Sequence, residues 1–167
     1  MASGTISRVD KMNYYLDIAQ TVARRGTCLR RWYGAIIVKN DEVVSTGYVG
    51  APRGRENCID INSCIREKLN IPRGERYELC RSTHSEANAI ISASRQEMIK
   101  SVMYLVCIDP HTLEVVSGTS SCSMCKRLII NAGIERVVVR DTPTEYRVLT
   151  VRDWIYNDES LEGTFGY

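Results

Sequence analysis

His84-Ser85-Glu86-Ala87-Asn88-Ala89-Ile90 and, beyond an apolar run at Val102 to Ile108, Cys122-Ser123-Met124-Cys125 are the stretches whose reading decides the fold. One imidazole and two thiolates give a zinc ion three ligands and leave one tetrahedral corner open, as in catalytic sites; closed structural sites recruit a fourth Cys or His. Cys122 and Cys125 are three apart and share a face on a helix. His84 and Glu86 are two apart and would diverge on a regular helix. The pair is therefore expected in a helix's opening turn, where the preceding loop aims the imidazole. Two helix starts then face one ion, and their unpaired N–H groups favour thiolate over thiol.

Around these motifs the pattern alternates strand and helix. Met12, Tyr15, Leu16, Ala19, Val22 and Ala23 recur at helical spacing and predict a helix from Met12 to Arg25, with Gly26 as a left-handed cap. Ala35 to Val38 and Val43 to Thr46 read as a hairpin reversing at Asn40-Asp41. Ala87 to Ser94 and Cys122 to Asn131 read as buried helices, the second ended by Gly133. Val102 to Ile108 and Ile134 to Val139 read as strands, and their alternation with helices predicts parallel pairing of the later strands. Gly47 to Gly74 shows little periodicity apart from a short helix at Ile65 to Leu69. Asp109 to Ser121 is an excursion with a short strand at Leu113 to Val116. Beyond Arg140, Val148 to Val151 suggests a strand and Arg152 to Tyr156 a helix.

The chain's 167 residues and 44% apolar content suit one globular domain. A net charge of +2 from 22 basic and 20 acidic residues lacks the basic block of a nucleic-acid binder and favours a small-molecule substrate. No apolar run approaches the ~20 residues of a membrane span, and Met1 to Asp10 has no secretory core, so a cytoplasmic protein is expected. Seven cysteines, an odd number, argue for metal ligation over a complete disulfide framework.

The order His-x-Glu, then Cys-x-x-Cys, is the signature of zinc-dependent nucleobase deaminases. Together with Thr27-Cys28-Leu29-Arg30-Arg31, Gly34-Ala35-Ile36-Ile37-Val38, Ser45 to Gly54 and Leu128-Ile129-Ile130-Asn131-Ala132-Gly133-Ile134, it resembles the deoxycytidylate (dCMP) deaminase family. The resemblance implies an α/β, cytidine-deaminase-like fold: a mixed five-stranded sheet with helices on both faces. It implies one zinc-dependent deaminase domain over 1–167, with a Gly/Cys-rich insertion at about 47–83 and a variable tail at about 141–167. It implies conversion of dCMP to dUMP, with His84, Cys122 and Cys125 as zinc ligands and Glu86 as the proton shuttle. It also implies a homo-oligomer, commonly a hexamer, with dCTP and dTTP as effectors. Three features depart from the family pattern: Ser121 stands where Pro usually precedes the first catalytic cysteine, Val49 replaces Asn in Gly47-Tyr48-Val49-Gly50, and 109–121 is lengthened.

Cys28, Cys58, Cys64 and Cys80 remain once the catalytic pair is assigned. Four thiolates would make a closed second zinc site clamping the irregular segment to the first helix; buried or free thiols are the alternative. Some members of the resembled family carry an extra zinc whose ligands include cysteines matching Cys28 and Cys58. Cys107, in an apolar strand, reads as core. Arg24, Arg25, Arg30, Arg31 and Arg53 offer guanidinium groups to phosphate or form solvated surface charge. Tyr48, Val49 and Asn88 are further substrate or effector candidates, Asn88 alternatively holding loops together. His111 reads as an exposed loop residue, with a substrate contact as the alternative, and Trp32, Met124 and Phe165-Gly166-Tyr167 as packing or interface residues, with base stacking as theirs. Two other functions compete: deamination of a different cytosine or purine compound, including a tRNA base, and a noncatalytic nucleotide-sensing scaffold. Glu86 argues against the scaffold, which has no use for a proton shuttle.

Overall fold

The computed structural model describes residues 4–162; Phe165-Gly166-Tyr167 lie outside them. Alternating β-branched residues build a five-stranded sheet in the order β2-β1-β3-β4-β5, from Trp32–Lys39 (β1), Glu42–Tyr48 (β2), Val102–Ile108 (β3), Arg136–Arg140 (β4) and Tyr146–Thr150 (β5). β1 and β2 form the expected hairpin, turning through Asn40 (φ 51°) and Asp41 (φ 64°), both left-handed as a tight two-residue reversal requires. β1 pairs antiparallel with β3, and β3 parallel with β4. The parallel expectation holds for that pair only: β5 returns antiparallel to β4 through the short 141–145 connection, too short for a crossover.

The period-2 pattern divides two cores. Ile36, Val38, Tyr104, Val106, Ile108 and Val138 face the helix Lys11–Ala23 (α1), whose Tyr15, Leu16, Ala19 and Ala23 are buried against them. Ala35, Ile37, Met103, Leu105, Val137 and Val139 point to the other face. There they meet Ala89 of the helix Ser85–Ile91 (α4) and Ile129 and Ala132 of the helix Ser123–Ala132 (α6). Helices thus cover both faces of a mixed sheet, as expected.

Gly26 is not the left-handed cap its position suggested. The helix ends at Ala23 with Arg24 as its cap, and a Cβ at Gly26 would lie 2.7 Å from Cγ of Trp32, so the close approach of that ring excludes a side chain. Gly133, with φ +83°, does cap α6 as expected. Leu113 to Val116 is reduced to a single bridge between Val115 and Ile108, because Leu113 itself turns with φ 61°. In the Gly/Cys-rich segment the short helix expected at Ile65 to Leu69 is present as Ile65–Lys68 (α3), and the segment adds two elements its sequence did not advertise, Cys58–Ile61 (α2) and a 3-10 turn at Tyr77–Leu79. Arg95–Met98 (α5), opened by a capping box between Ser94 and Glu97, was also missed. The possible tail elements are present as β5 and Val151–Tyr156 (α7).

The hairpin seats α4. Ser45 Oγ donates to the Ala89 carbonyl at 2.8 Å, and a Cβ on Gly47 would come within 2.3 Å of both Ala89 N and Ser85 O. These are backbone atoms, so nothing flexible can yield. Gly47→Ala is expected to destabilise the fold by about 1–3 kcal/mol through overpacking, read as a lower melting temperature. Because α4 carries the His84 motif, activity should fall with it.

Candidate active site

Local backbone geometry places the metal-binding side chains. His84 is the extended N-cap of α4 (φ -69°, ψ 154°), which resolves the two-residue spacing: the imidazole leaves from the loop and Glu86 from the first turn. Cys122 is likewise the extended N-cap of α6, with Cys125 in its first turn. Two helix starts converge, so two sets of unpaired N–H groups and two positive dipole ends favour the anionic sulfurs.

His84 Nδ1 lies 3.4 Å from Sγ of Cys122 and 3.4 Å from Sγ of Cys125. Zn–S bonds of about 2.3 Å and a Zn–N bond of about 2.0 Å at a tetrahedral angle put their ligand atoms roughly 3.5 Å apart, so the donor set fits zinc. Among the described residues this is the one group of three or more potential ligands whose donor atoms all lie within 4.8 Å of one another. Glu86 is 3% exposed, and the Ser85 hydroxyl donates to its Oε2 at 3.1 Å. The Tyr77 ring meets the His84 ring edge-on at 5.2 Å.

In the metal-free site the three groups share their protons through hydrogen bonds. The hydrogen bond with Cys125 holds the Cys122 thiol down to about 4, against the opposing pull of burial. That same bond pushes Cys125 far upward, so the pair holds one proton between them. Burial works against a charged His84, yet hydrogen bonds with Cys122 and Cys80 and the charge of Glu86 outweigh it and raise the imidazole to about 11. At neutral pH the three groups therefore carry two protons that zinc must expel, since it takes neutral imidazole and two thiolates. Zinc uptake is expected to release about two protons per ion, and the apparent affinity to fall roughly 100-fold per pH unit as pH drops through the neutral range. Calorimetry in buffers of different ionisation enthalpy checks this; no proton release would contradict it.

The site opens into a cavity of about 200 Å³ lined by His84, Ser85, Glu86 and Cys122. Of the residues singled out in the sequence, Arg30, Arg31 and Val49 also line it, as do Cys28, Cys64 and Cys80. Val49 is fixed from both sides, its N–H donating to the Tyr33 carbonyl and its carbonyl accepting from Thr27. Asn88 Nδ2 donates to the Tyr48 carbonyl at 2.8 Å, which ties β2 to α4; neither residue reaches the cavity wall, nor does Arg53. Cys58 is buried 3.8 Å from Ser82 Oγ. Cys107 is wholly buried in β3, where burial pushes its thiol up to about 12, as suits a core residue. Ser121 is also fully buried, and its hydroxyl finds no hydrogen-bond partner. Tyr33, Ser120, Arg66, Arg73 and Tyr77 complete the wall and were not singled out from sequence, the last three because the aperiodic 47–83 segment carries no local signal of what it packs against.

A family model described as the cytidine and deoxycytidylate deaminase zinc-binding region matches residues 9–141. The chain belongs to this family of zinc-dependent deaminases. Within it, the chain is 34% identical over 138 residues to the deoxycytidylate deaminase of Mycobacterium phage D29, covering 80% of this chain and 96% of that one. It is 30% identical to the deoxycytidylate deaminase of Schizosaccharomyces pombe over 75% of this chain but only 35% of that longer one. The cyanophage S-TIM5 dCMP deaminase, solved in complex with dCMP and dUMP, superposes with a TM-score of 0.54 at 21% identity, covering 82% of this chain and 85% of that one. That likeness concerns the fold.

Proposed function

We propose that the chain catalyses the zinc-dependent hydrolytic deamination of dCMP to dUMP in pyrimidine nucleotide metabolism. The observation that carries this is the convergence of His84, Cys122 and Cys125 beside a buried carboxylate, Glu86, in a cavity walled by arginines. Zinc, when bound by these three residues, supplies Lewis-acid activation of water. Glu86 accepts the proton that water gives up as its oxygen bonds to C4. The carboxyl returns that proton to N3, and a second transfer through Glu86 protonates the amine as the C4–N bond breaks and ammonia leaves. Ser85 orients the carboxylate for these transfers, and burial keeps bulk water from competing for its protons.

A panel of dCMP, CMP, deoxycytidine, cytosine and guanine, followed by the loss of absorbance on deamination, tests this reading. Turnover of dCMP ahead of the others is expected, and product from another compound alone would overturn the substrate assignment.

In this reading residues 1–167 act as one catalytic domain in the cytoplasm, with 47–83 an insertion that shapes the cavity and 141–167 a variable tail. Arg30, Arg31 and Val49 contact nucleotide directly, while Asn88 and Tyr48 hold the loops, and Arg53 approaches from the neighbouring turn. Support for a homo-oligomer, with a hexamer as the expected size, comes from Ile91, Leu128, Ile155 and Tyr156, large apolar residues exposed on α4, α6 and α7. Gel filtration with light scattering reads the assembly, and activity assays with added dCTP and dTTP read them as effectors. No helix among the described residues is long and apolar enough to cross a membrane.

A second, structural zinc on Cys28, Cys58, Cys64 and Cys80 is supported by the electrostatic proximity of these thiols: burial raises Cys58, and Cys28, Cys80 and Cys64 add to the rise. Their sulfurs do not form a compact ligand group, so binding requires the segment to draw them together. Two zinc ions per fully metallated chain would support it, and one would refute it.

A further inference from the structure

The cavity wall carries four arginines, Arg30, Arg31, Arg66 and Arg73, and they are held differently. Arg30 Nε is 3.6 Å from Glu67, and Arg31 Nη1 is 3.2 Å from Asp109. Arg66 is buried with its ring-facing side 4.3 Å from the Tyr77 centroid, and it donates to the Glu75 carbonyl from Nε at 3.3 Å and to the Pro72 carbonyl from Nη2 at 2.7 Å. Tyr77 Oη accepts from Gly74 N at 3.2 Å, and Gly74 turns with φ +87°. These three bonds fix the backbone of the Pro72-Arg73-Gly74-Glu75 loop on either side of Arg73, whose own side chain is exposed. The loop is in turn coupled to the metal site, because the Tyr77 ring packs on His84. The charge of Arg73 also reaches inward: with Arg31 it opposes the upward push of burial on the Cys107 thiol of β3.

Resting on the dCMP reading above, we propose that Arg73 is the residue that selects a 5′-phosphorylated substrate, and that Arg66 is the positioning residue that presents it. A cytosine whose C4 amine lies at His84 and Glu86 must have its 5′-phosphate, at the far end of the nucleotide, near the cavity mouth. An exposed guanidinium on a rigid loop recognises a phosphate by paired, charge-assisted hydrogen bonds. Preorganisation matters because a loop already ordered loses little freedom when the anion arrives. Arg66 serves that end: a buried fork satisfying two carbonyls of the same loop fixes where Arg73 begins. The phosphate is remote from C4, so losing its contact should act on binding more than on the chemical step.

The test is the ratio of kcat/KM for dCMP to that for deoxycytidine in zinc-loaded enzyme. Arg73→Ala is expected to raise KM for dCMP about 10- to 100-fold, the range for losing a charge-assisted contact, with kcat changed much less. Deoxycytidine turnover should stay within about 3-fold, since that substrate has no group for Arg73 to hold. Inorganic phosphate should compete with dCMP in the wild type and much less in Arg73→Ala. Arg66→Gln should shift the same ratio in the same direction, and Arg66→Lys should recover part of it. Arg73 is exposed, so its variant is expected to fold, and its melting curve verifies that independently of Arg66. An unchanged ratio in Arg73→Ala, or equal losses on both substrates, overturns the proposal while leaving dCMP deamination standing. A wild-type enzyme inert toward dCMP overturns the function itself, and this proposal with it.

Discussion

Glu86→Gln is expected to lower kcat for dCMP by at least about 10²- to 10⁴-fold, the span of general acid–base catalysis by a positioned side chain, while zinc content stays at the wild-type value. The carboxylate is 3% exposed and is not among the three groups that hold the ion, so its loss removes a proton carrier without opening the metal site. Glutamine keeps the size and can still accept from the Ser85 hydroxyl through its carbonyl oxygen, which limits the structural change to chemistry. It cannot take up or return a proton, so every transfer in the cycle is affected. Substrate binding should persist, with KM shifted far less than kcat. Stopped assays for dUMP alongside metal analysis check this; near wild-type kcat would exclude Glu86 from the reaction.

Cys125→Ala is expected to empty the metal site and reduce turnover to background. Cys125 is buried in the first turn of α6, 3.4 Å from His84 Nδ1, and no other group of potential ligands is assembled among the described residues to take its place. Two remaining protein ligands do not make a catalytic zinc site, which normally has three. The variant should also lose the part of the zinc stabilisation that this site confers on the folded chain, so the rise of its melting temperature with added zinc should be smaller than in the wild type. Zinc retained at full occupancy with normal activity would mean that the ion sits elsewhere.

Which of these features could be read from the chain follows from how local their signals are. Val102 to Ile108 was legible to the residue because a buried central strand is a continuous apolar run of fixed length. His84, Cys122 and Cys125 were legible because zinc accepts few donors and constrains their spacing. Gly133 was legible from a chain-local need for a positive φ, whereas Gly26 was misread because its constraint is the distant Trp32 ring. Arg66, Arg73 and Tyr77 had no such signal. Their places in the cavity wall arise from loop carbonyls and a ring contact brought together by tertiary packing, in a segment with neither helical nor strand period. The antiparallel return of β5 was hidden for a related reason: a strand's partner and direction depend on the length of the connection, not on the strand's own residues.

The most direct measurement is to strip the enzyme with a chelator, return zinc in known amounts and follow dUMP and ammonia formation from dCMP at each step. Turnover should be absent without metal and should rise in proportion to the catalytic ion bound, reaching a plateau when His84, Cys122 and Cys125 are filled. Full dCMP turnover in the stripped protein, or a fully zinc-loaded chain that forms no dUMP, would contradict the account.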